Sequence, residues 1–209
     1  MKKGALIYLS CIIFLAIASF IIVLILRKNS LTISENRDLN YKYINEMYYF
    51  FKNKNKTTIQ NNGIKINSEI LITDENMKYV SIEELFKDQC STFKVIIRTS
   101  SLGCDICLTE ELKNLDEYIH KIGAENLYIF ASDYNQRSLE ILRKNISYNI
   151  QVYQVSKINI PFEETSNSLF VFILDKDMII KDFFVPEKTL PDFSKDYYKV
   201  ICNKYLQIE

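Results

Sequence analysis

The apolar positions of this chain fall into two regimes. Over residues 5–26 they are continuous, without charge, Gly or Pro, between Lys2-Lys3 and Arg27-Lys28. Beyond Ile59 they come as short runs separated by amphipathic stretches, the pattern of alternating strands and helices. Residues 93–97, 127–130, 150–155, 169–174 and 178–184 read as strands, and 104–122, 135–145 and 193–206 as helices. Two shorter strands at 70–72 and 79–80 flank the turn residues Asp74-Glu75-Asn76, and Ser81-Ile82-Glu83-Glu84 has the form of a helix capping box. Runs such as Phe170-Val171-Phe172-Ile173-Leu174 suit strands buried on both faces. A βαβα half followed by a hairpin and a last helix implies a three-layer α/β domain with a mixed central sheet.

The first regime predicts a transmembrane helix. Its roughly 22 residues reach about 33 Å at 1.5 Å per residue, enough to cross a hydrocarbon core. A cleaved signal is the competing reading, but its small-x-small site, Ala16-Ile17-Ala18, would leave the apolar run from Phe20 to Leu26 attached. Cys11 follows Tyr8-Leu9-Ser10, a poor lipobox. The expected organisation is therefore an anchor at 1–28, a membrane-proximal linker and amphipathic helix at 29–58, and a globular domain at 59–209. Within the middle segment, 29–35 is polar linker, 38–51 carries Tyr43, Ile44, Met47, Phe50 and Phe51 at helical spacing, and 52–56 is a solvated basic loop. Flanking positive charges nearly cancel, so orientation rests on the short N-terminal head, which stays inside while the domain is exported.

Composition narrows the function classes. Basic and acidic residues balance at 26 each, which implies no polyanion-binding surface, and no basic-aromatic motif marks a nucleic-acid module. Serine-triad, phosphate-loop and nucleotide fingerprints are absent, and nothing calls for a cofactor or a metal.

The candidate chemistry lies in Ser101-Leu102-Gly103-Cys104-Asp105-Ile106-Cys107, where a buried strand hands over to a helix. A cysteine at a helix N-terminus meets unpaired N–H groups and the positive end of the helix dipole, which favour thiolate over thiol. Cys107, three residues on, is close enough to close a disulfide with Cys104. Half a zinc site and two core cysteines are the alternatives. His120 lies about 13 residues from Cys107 along the helix, near 20 Å, too far to share a metal with Cys104, Cys107 and Cys90. It reads as a surface cation at the helix C-terminus, while Cys90 and Cys202 read as small core residues.

This order of elements, with CxxC ending the first βαβ strand, resembles the thioredoxin fold, and most closely the membrane-anchored redoxins of the TlpA/ResA group. The likeness is carried by "ILITDENMKYVSIEELF" at 70–86, by the strand and CxxC within 93–115, and by "LFVFILDKDMIIKDFFVPE" at 169–187. Glu110 matches the acidic position of the group's C-x-x-C-x-x-E pattern. The resemblance implies a bacterial thiol-disulfide oxidoreductase, tethered to the cell membrane with its domain on the extracytoplasmic, periplasmic side. Its partners would be a protein disulfide or dithiol substrate and a redox partner protein. Cys104 would attack, Cys107 would resolve, and Glu110 would accept a proton from Cys107 unless it is a solvated first-turn acid. Three features depart from the family: Gly103 replaces the Trp before the first Cys, the dipeptide Asp105-Ile106 between the cysteines is neither Gly-Pro nor Pro-Pro, and Asn167-Ser168-Leu169 replaces the segment with the cis-proline. These departures support the alternative of a non-catalytic thioredoxin-like binding or sensing module with a structural disulfide. Peroxidase chemistry fits less well, since Ser101 suits the hydroxyl position of a peroxidatic loop but Ile97 stands where Pro belongs.

Overall fold

The computed structural model describes residues 2–87, 92–103, 105–146 and 149–206, without the side chains of 2–18, 30–36, 38 and 105. The chain forms two compact units, Met1–Asn53 and Lys54–Glu209. A single α-helix, α1 (Lys2–Asn61), makes up the first and supplies the opening turns of the second. The expected linker at 29–35 and loop at 52–56 are thus helical. No Gly or Pro interrupts 29–61, and the abundant Asn and Thr disfavour a helix only mildly. Gly63, at φ +80°, ends it in the left-handed conformation that glycine adopts without strain. In the first unit Tyr43, Ile44 and Phe51 are exposed. The apolar segment 5–26 lies within α1, and the side chains of 2–18 fall outside the described residues. Among the described residues no helix is long and apolar enough to cross a membrane.

The second unit is built on one mixed sheet. Its strands are β1 (Leu71–Thr73), β2 (Tyr79–Ser81), β3 (Phe93–Ser100), β4 (Leu127–Ser132), β5 (Gln151–Gln154), β6 (Phe170–Asp175) and β7 (Ile180–Phe184), in the spatial order β2-β1-β5-β4-β3-β6-β7. At the centre, β3 runs parallel to β4, pairing Ile97 with Ile129, and antiparallel to β6, pairing Ile97 with Val171. All eight residues of β3 are buried, as a strand covered on both faces requires.

Alternation along the strands sorts the core into two halves. Val95, Ile97, Ile129, Val171 and Ile173 point to the face covered by α2 (Asp105–Ile122), α3 (Gln136–Asn145) and α5 (Pro191–Tyr205). Ile96, Tyr128, Phe130, Phe170 and Phe172 point to the other. The crossovers β3-α2-β4 and β4-α3-β5 step the same way across the sheet, and right-handed connections therefore place both helices on one face. The second face is closed by lighter material: Ile66, the 3-10 turn Ile82–Phe86, and the short helix α4 (Pro161–Thr165) through Phe162.

Two local expectations differ from the structure. Ser81 occupies the N-cap but its side chain makes no capping bond, and Ile82–Phe86 is 3-10 rather than α. A three-residue repeat puts Ile82 and Leu85, both buried, on the same side. The five-residue α4 is too short to leave a periodic signature, though Pro161 at its first position is a start signal.

Two cations lie inside the sheet. Lys94 is buried on β3, donating to Glu125 O and Asn126 Oδ1 at 3.1 Å each, and burial lowers its pKa to about 8. Arg98, further along β3, pairs with Glu163 of α4 at 2.7 Å, both side chains almost fully buried. Removing one partner of such a pair strands the other charge, so Glu163→Ala is expected to destabilise the fold by about 3–5 kcal/mol. Urea unfolding of parent and variant measures this, and a loss within experimental error would show that Arg98 finds other solvation.

Candidate functional site

The site is assembled where β3 ends. Past Ser100 the chain turns through Ser101-Leu102-Gly103 before α2, and this turn is tied to the end of β4. Ser101 N donates to Ser132 O at 3.0 Å and Ser100 Oγ to Asp133 Oδ2 at 2.8 Å, while Ser101 Oγ donates to Asp133 O. The Ser101 hydroxyl is thus engaged in holding the turn. Asp133 sits at φ +61°, a conformation Asp tolerates better than most residues. Hydrogen bonds from Ser132 and Ser100 hold its carboxyl below the usual range.

Cys104 lies outside the described residues, as does Cys90. Cys107 stands in the first turn of α2, half-buried and disulfide-bonded. It lines an open cleft of about 740 Å³. One wall is Leu102-Gly103 and the loop Asn167-Ser168-Leu169; the opposite wall is the segment 185–188 that follows β7. Hence Cys107 and Glu110, and the Asn167-Ser168 loop some 60 residues further on, face one cavity.

Gly103 explains how this loop comes so near. A Cβ at that position would overlap Asn167 O and lie 3.2 Å from Ser100 O, so only glycine allows the Asn167 backbone to pass. The described residues contain no cis peptide bond, and Ser168 N is held by Ser166 Oγ at 3.0 Å. The turn before α2 and the 166–168 loop are therefore joined by a close backbone contact.

The two neighbouring glutamates have different environments. Glu110 is partly exposed in the cleft and forms a 3.9 Å ion pair with Lys188, whose side chain is 54% exposed. Glu111 is buried, on the stripe that also carries Leu108, Leu115, Ile119 and Ile122. It accepts hydrogen bonds from Tyr198 Oη at 2.6 Å and Ser194 Oγ at 2.9 Å, both from α5. Burial pushes its carboxyl above the usual carboxylate range, partly offset by hydrogen bonds from Tyr198, Ser194 and Asn114 and by the charge of Lys54. Lys54, near the end of α1, donates to Val185 O at 2.8 Å and lies 5.2 Å from the centre of the Phe184 ring. Burial lowers its pKa, opposed by Glu187 and then Glu111.

Neither Glu111 nor Lys54 stood out in the sequence. Glu111 was legible in principle, since residues four apart share a helix face and it follows Cys107 by four. Of the remaining candidates, His120 is exposed in the last turn of α2, and Cys202 is a buried free thiol on α5.

No protein-family model matches the chain, and no curated protein matches its sequence. Solved structures do match its fold. The solution structure of an uncharacterized thioredoxin-like protein from Porphyromonas gingivalis aligns with a TM-score of 0.50 at 14% identity, covering 70% of this chain and 95% of that one. The domain has a thioredoxin-like fold. The solution structure of a thiol:disulfide interchange protein from a Bacteroides species aligns with a TM-score of 0.46 at 14% identity, covering 69% and 90%.

Two outcomes follow from this geometry. Gly103→Ala must displace the Asn167 carbonyl, and is expected to cost about 1–3 kcal/mol in urea unfolding, as inserted methyl groups do in close-packed sites. A neutral effect would mean that the loop yields freely. Glu111 carries a pH signature. With its folded pKa raised, the native state binds more protons than the unfolded chain between the ordinary carboxylate range and the folded pKa. Its contribution is thus fully present below the unfolded pKa and is lost as pH rises through the folded one. Glu111→Gln should remove that downward slope from the stability-pH curve, and an unchanged slope would assign it to other groups.

Proposed function

We propose that this protein is a membrane-tethered thiol-disulfide oxidoreductase in which Cys104 and Cys107 exchange disulfides with a protein substrate. The observation that carries the reading is the position of Cys107: disulfide-bonded, in the first turn of α2, at the mouth of an open cleft at the end of the central strand. Its partner in this reading is Cys104, because the three-residue spacing brings the two sulfurs together at the helix start. The Cys104 thiolate attacks a substrate disulfide; the substrate bond breaks and one substrate thiolate leaves. Cys107 then attacks the Cys104 sulfur of the mixed disulfide, closing the pair and releasing the second substrate thiol. The substrate gains two electrons and the cysteine pair loses them; the reverse sequence oxidises a dithiol.

In this reading the segment 5–26 anchors the chain in a bacterial cell membrane, and the domain faces the extracytoplasmic side, where disulfides persist. A redox partner protein resets the pair. Glu110, at the cleft rim beside Lys188, is the acid that the C-x-x-C-x-x-E resemblance assigns to proton transfer.

The close passage of Asn167 beside Gly103 favours a second reading, a binding or sensing module whose disulfide is structural. A redox titration of the full-length chain in detergent, followed by thiol trapping and mass spectrometry, separates the two. An exchange enzyme gives a reversible two-electron couple between roughly −270 and −120 mV, and Cys104→Ser abolishes turnover of a disulfide substrate without unfolding the domain. A pair reduced only on unfolding would establish the module instead.

A further inference from the structure

The outer edge of the sheet is closed by the chain that leads into the domain. β7 is the last strand, and an uncovered last strand leaves a row of backbone groups unpaired. Residues 54–66 run along this edge. Ile66 N donates to Met178 O at 2.7 Å, while Gly63 N donates to Ile180 O and Ile180 N to Ile64 O, each at 2.8 Å. Phe183 N then donates to Asn62 Oδ1 at 2.7 Å, and Lys54 Nζ to Val185 O at 2.8 Å. The Phe184 ring, 5.2 Å from Lys54 Nζ, also stacks on Tyr197 of α5 with ring centres 4.6 Å apart.

The bond from Lys54 falls where regular structure stops. Residues 185–188 belong to no strand or helix, yet they form the wall of the cleft opposite Leu102 and the Asn167 loop. Pro186 fixes its own φ and keeps Val185 extended, so holding the Val185 carbonyl sets the direction in which the wall leaves the sheet. Further along, Lys188 meets Glu110 in an exposed 3.9 Å pair, a weak tether by comparison.

We propose that Lys54 and Asn62 are positioning residues that hold residues 183–188 as the fixed wall against which a substrate polypeptide seats its disulfide beside Cys107. The inference rests on the disulfide-exchange reading. It places the start of the working domain in the last turns of α1, ahead of β1 and of the segment that resembles the redoxins. Neither residue touches a reacting atom. Without the Lys54 ammonium the part-buried Val185 carbonyl loses a charged donor, and without the Asn62 carboxamide Phe183 N loses its acceptor. The wall then leaves the sheet edge, while β3 and the start of α2 keep their places.

The test uses the full-length chain in detergent, with a short disulfide-bridged peptide as substrate. Lys54→Met and Asn62→Ala should each raise KM for the peptide by about tenfold, the equivalent of one hydrogen bond, with kcat retained. Amide hydrogen exchange reads the wall directly. In Lys54→Met the backbone amides of 183–190 should exchange about tenfold faster, while those of Ile96 and Ile97 in β3 stay as protected as in the parent. This measurement decides the matter even where a variant folds too poorly for kinetics, because a general loss of stability would release β3 as well. A KM that does not rise, or a wall and β3 that loosen together, would overturn the positioning role and leave the disulfide-exchange reading intact. A parent chain that does not turn over the peptide would overturn that reading, and this inference with it.

Discussion

The site depends on a cation buried where an apolar strand would be expected to continue. Arg98 lies six residues before Cys104, and its guanidinium reaches three parts of the domain at once. Nε pairs with Glu163 of α4, Nη1 donates to Phe130 O of β4 and Val155 O just beyond β5, and Nη2 donates to Ser156 O. Glu163 in turn accepts from Ile158 N and Asn159 N through Oε2. These bonds gather the C-terminal ends of three neighbouring strands and the segment leading into the 166–168 loop. A planar, rigid donor fork suits this task; a lysine would supply one point of attachment. The Ser100–Gly103 turn and the Asn167 loop that frame the cleft therefore rest on the fixed strand ends that this network holds together.

Much of the fold was readable because its strands are apolar on both faces and its helices on one. Residues 93–97, 127–130, 169–174 and 193–206 each overlap an observed element, and the Asp74-Glu75-Asn76 turn joins β1 and β2 as expected. The linker at 29–35 and the loop at 52–56 failed because polar residues without Gly or Pro still continue a helix. Within the domain, short segments obey tertiary contacts more than local pattern. Ser81 and Glu84 have the letters of a capping box, yet burying Ile82 and Leu85 together selects the tighter 3-10 turn. The α4 turn is set by Arg98 and Glu163, partners 65 residues apart in sequence, and no window-based pattern reaches that far. At the site, Cys107 was legible from spacing and setting. The cleft wall at 185–188 and the cation from α1 were not, because both arrive from remote parts of the chain.

Gly103 and Asn167 lie far apart in the sequence and constrain one another in the fold. In space they meet, since the Asn167 carbonyl occupies the volume that any side chain at position 103 would need. The loop is held near the helix start by backbone proximity and by Ser166, whose hydroxyl accepts from Ser168 N. Beside this contact the cleft surface is set by Leu102, Asn167 and Ser168.

Among the described residues Glu111 and Glu163 both have nearly buried side chains, and their partners explain why they have different chemical capacities. Glu163 is saturated by a guanidinium at 2.7 Å and two backbone N–H groups, all of which prefer its charged form. Such a group is committed to structure. Glu111 accepts from neutral donors, the hydroxyls of Tyr198 and Ser194 and the side chain of Asn114, and also feels the charge of Lys54. Neutral donors orient a carboxylate and lessen the cost of its charge without fixing that charge, so burial still raises its proton affinity. The same residue type thus acts as a brace at one end of β3's network and retains a titratable proton site one helical turn from Cys107. What separates them is the guanidinium paired with Glu163 against the hydroxyls that hold Glu111.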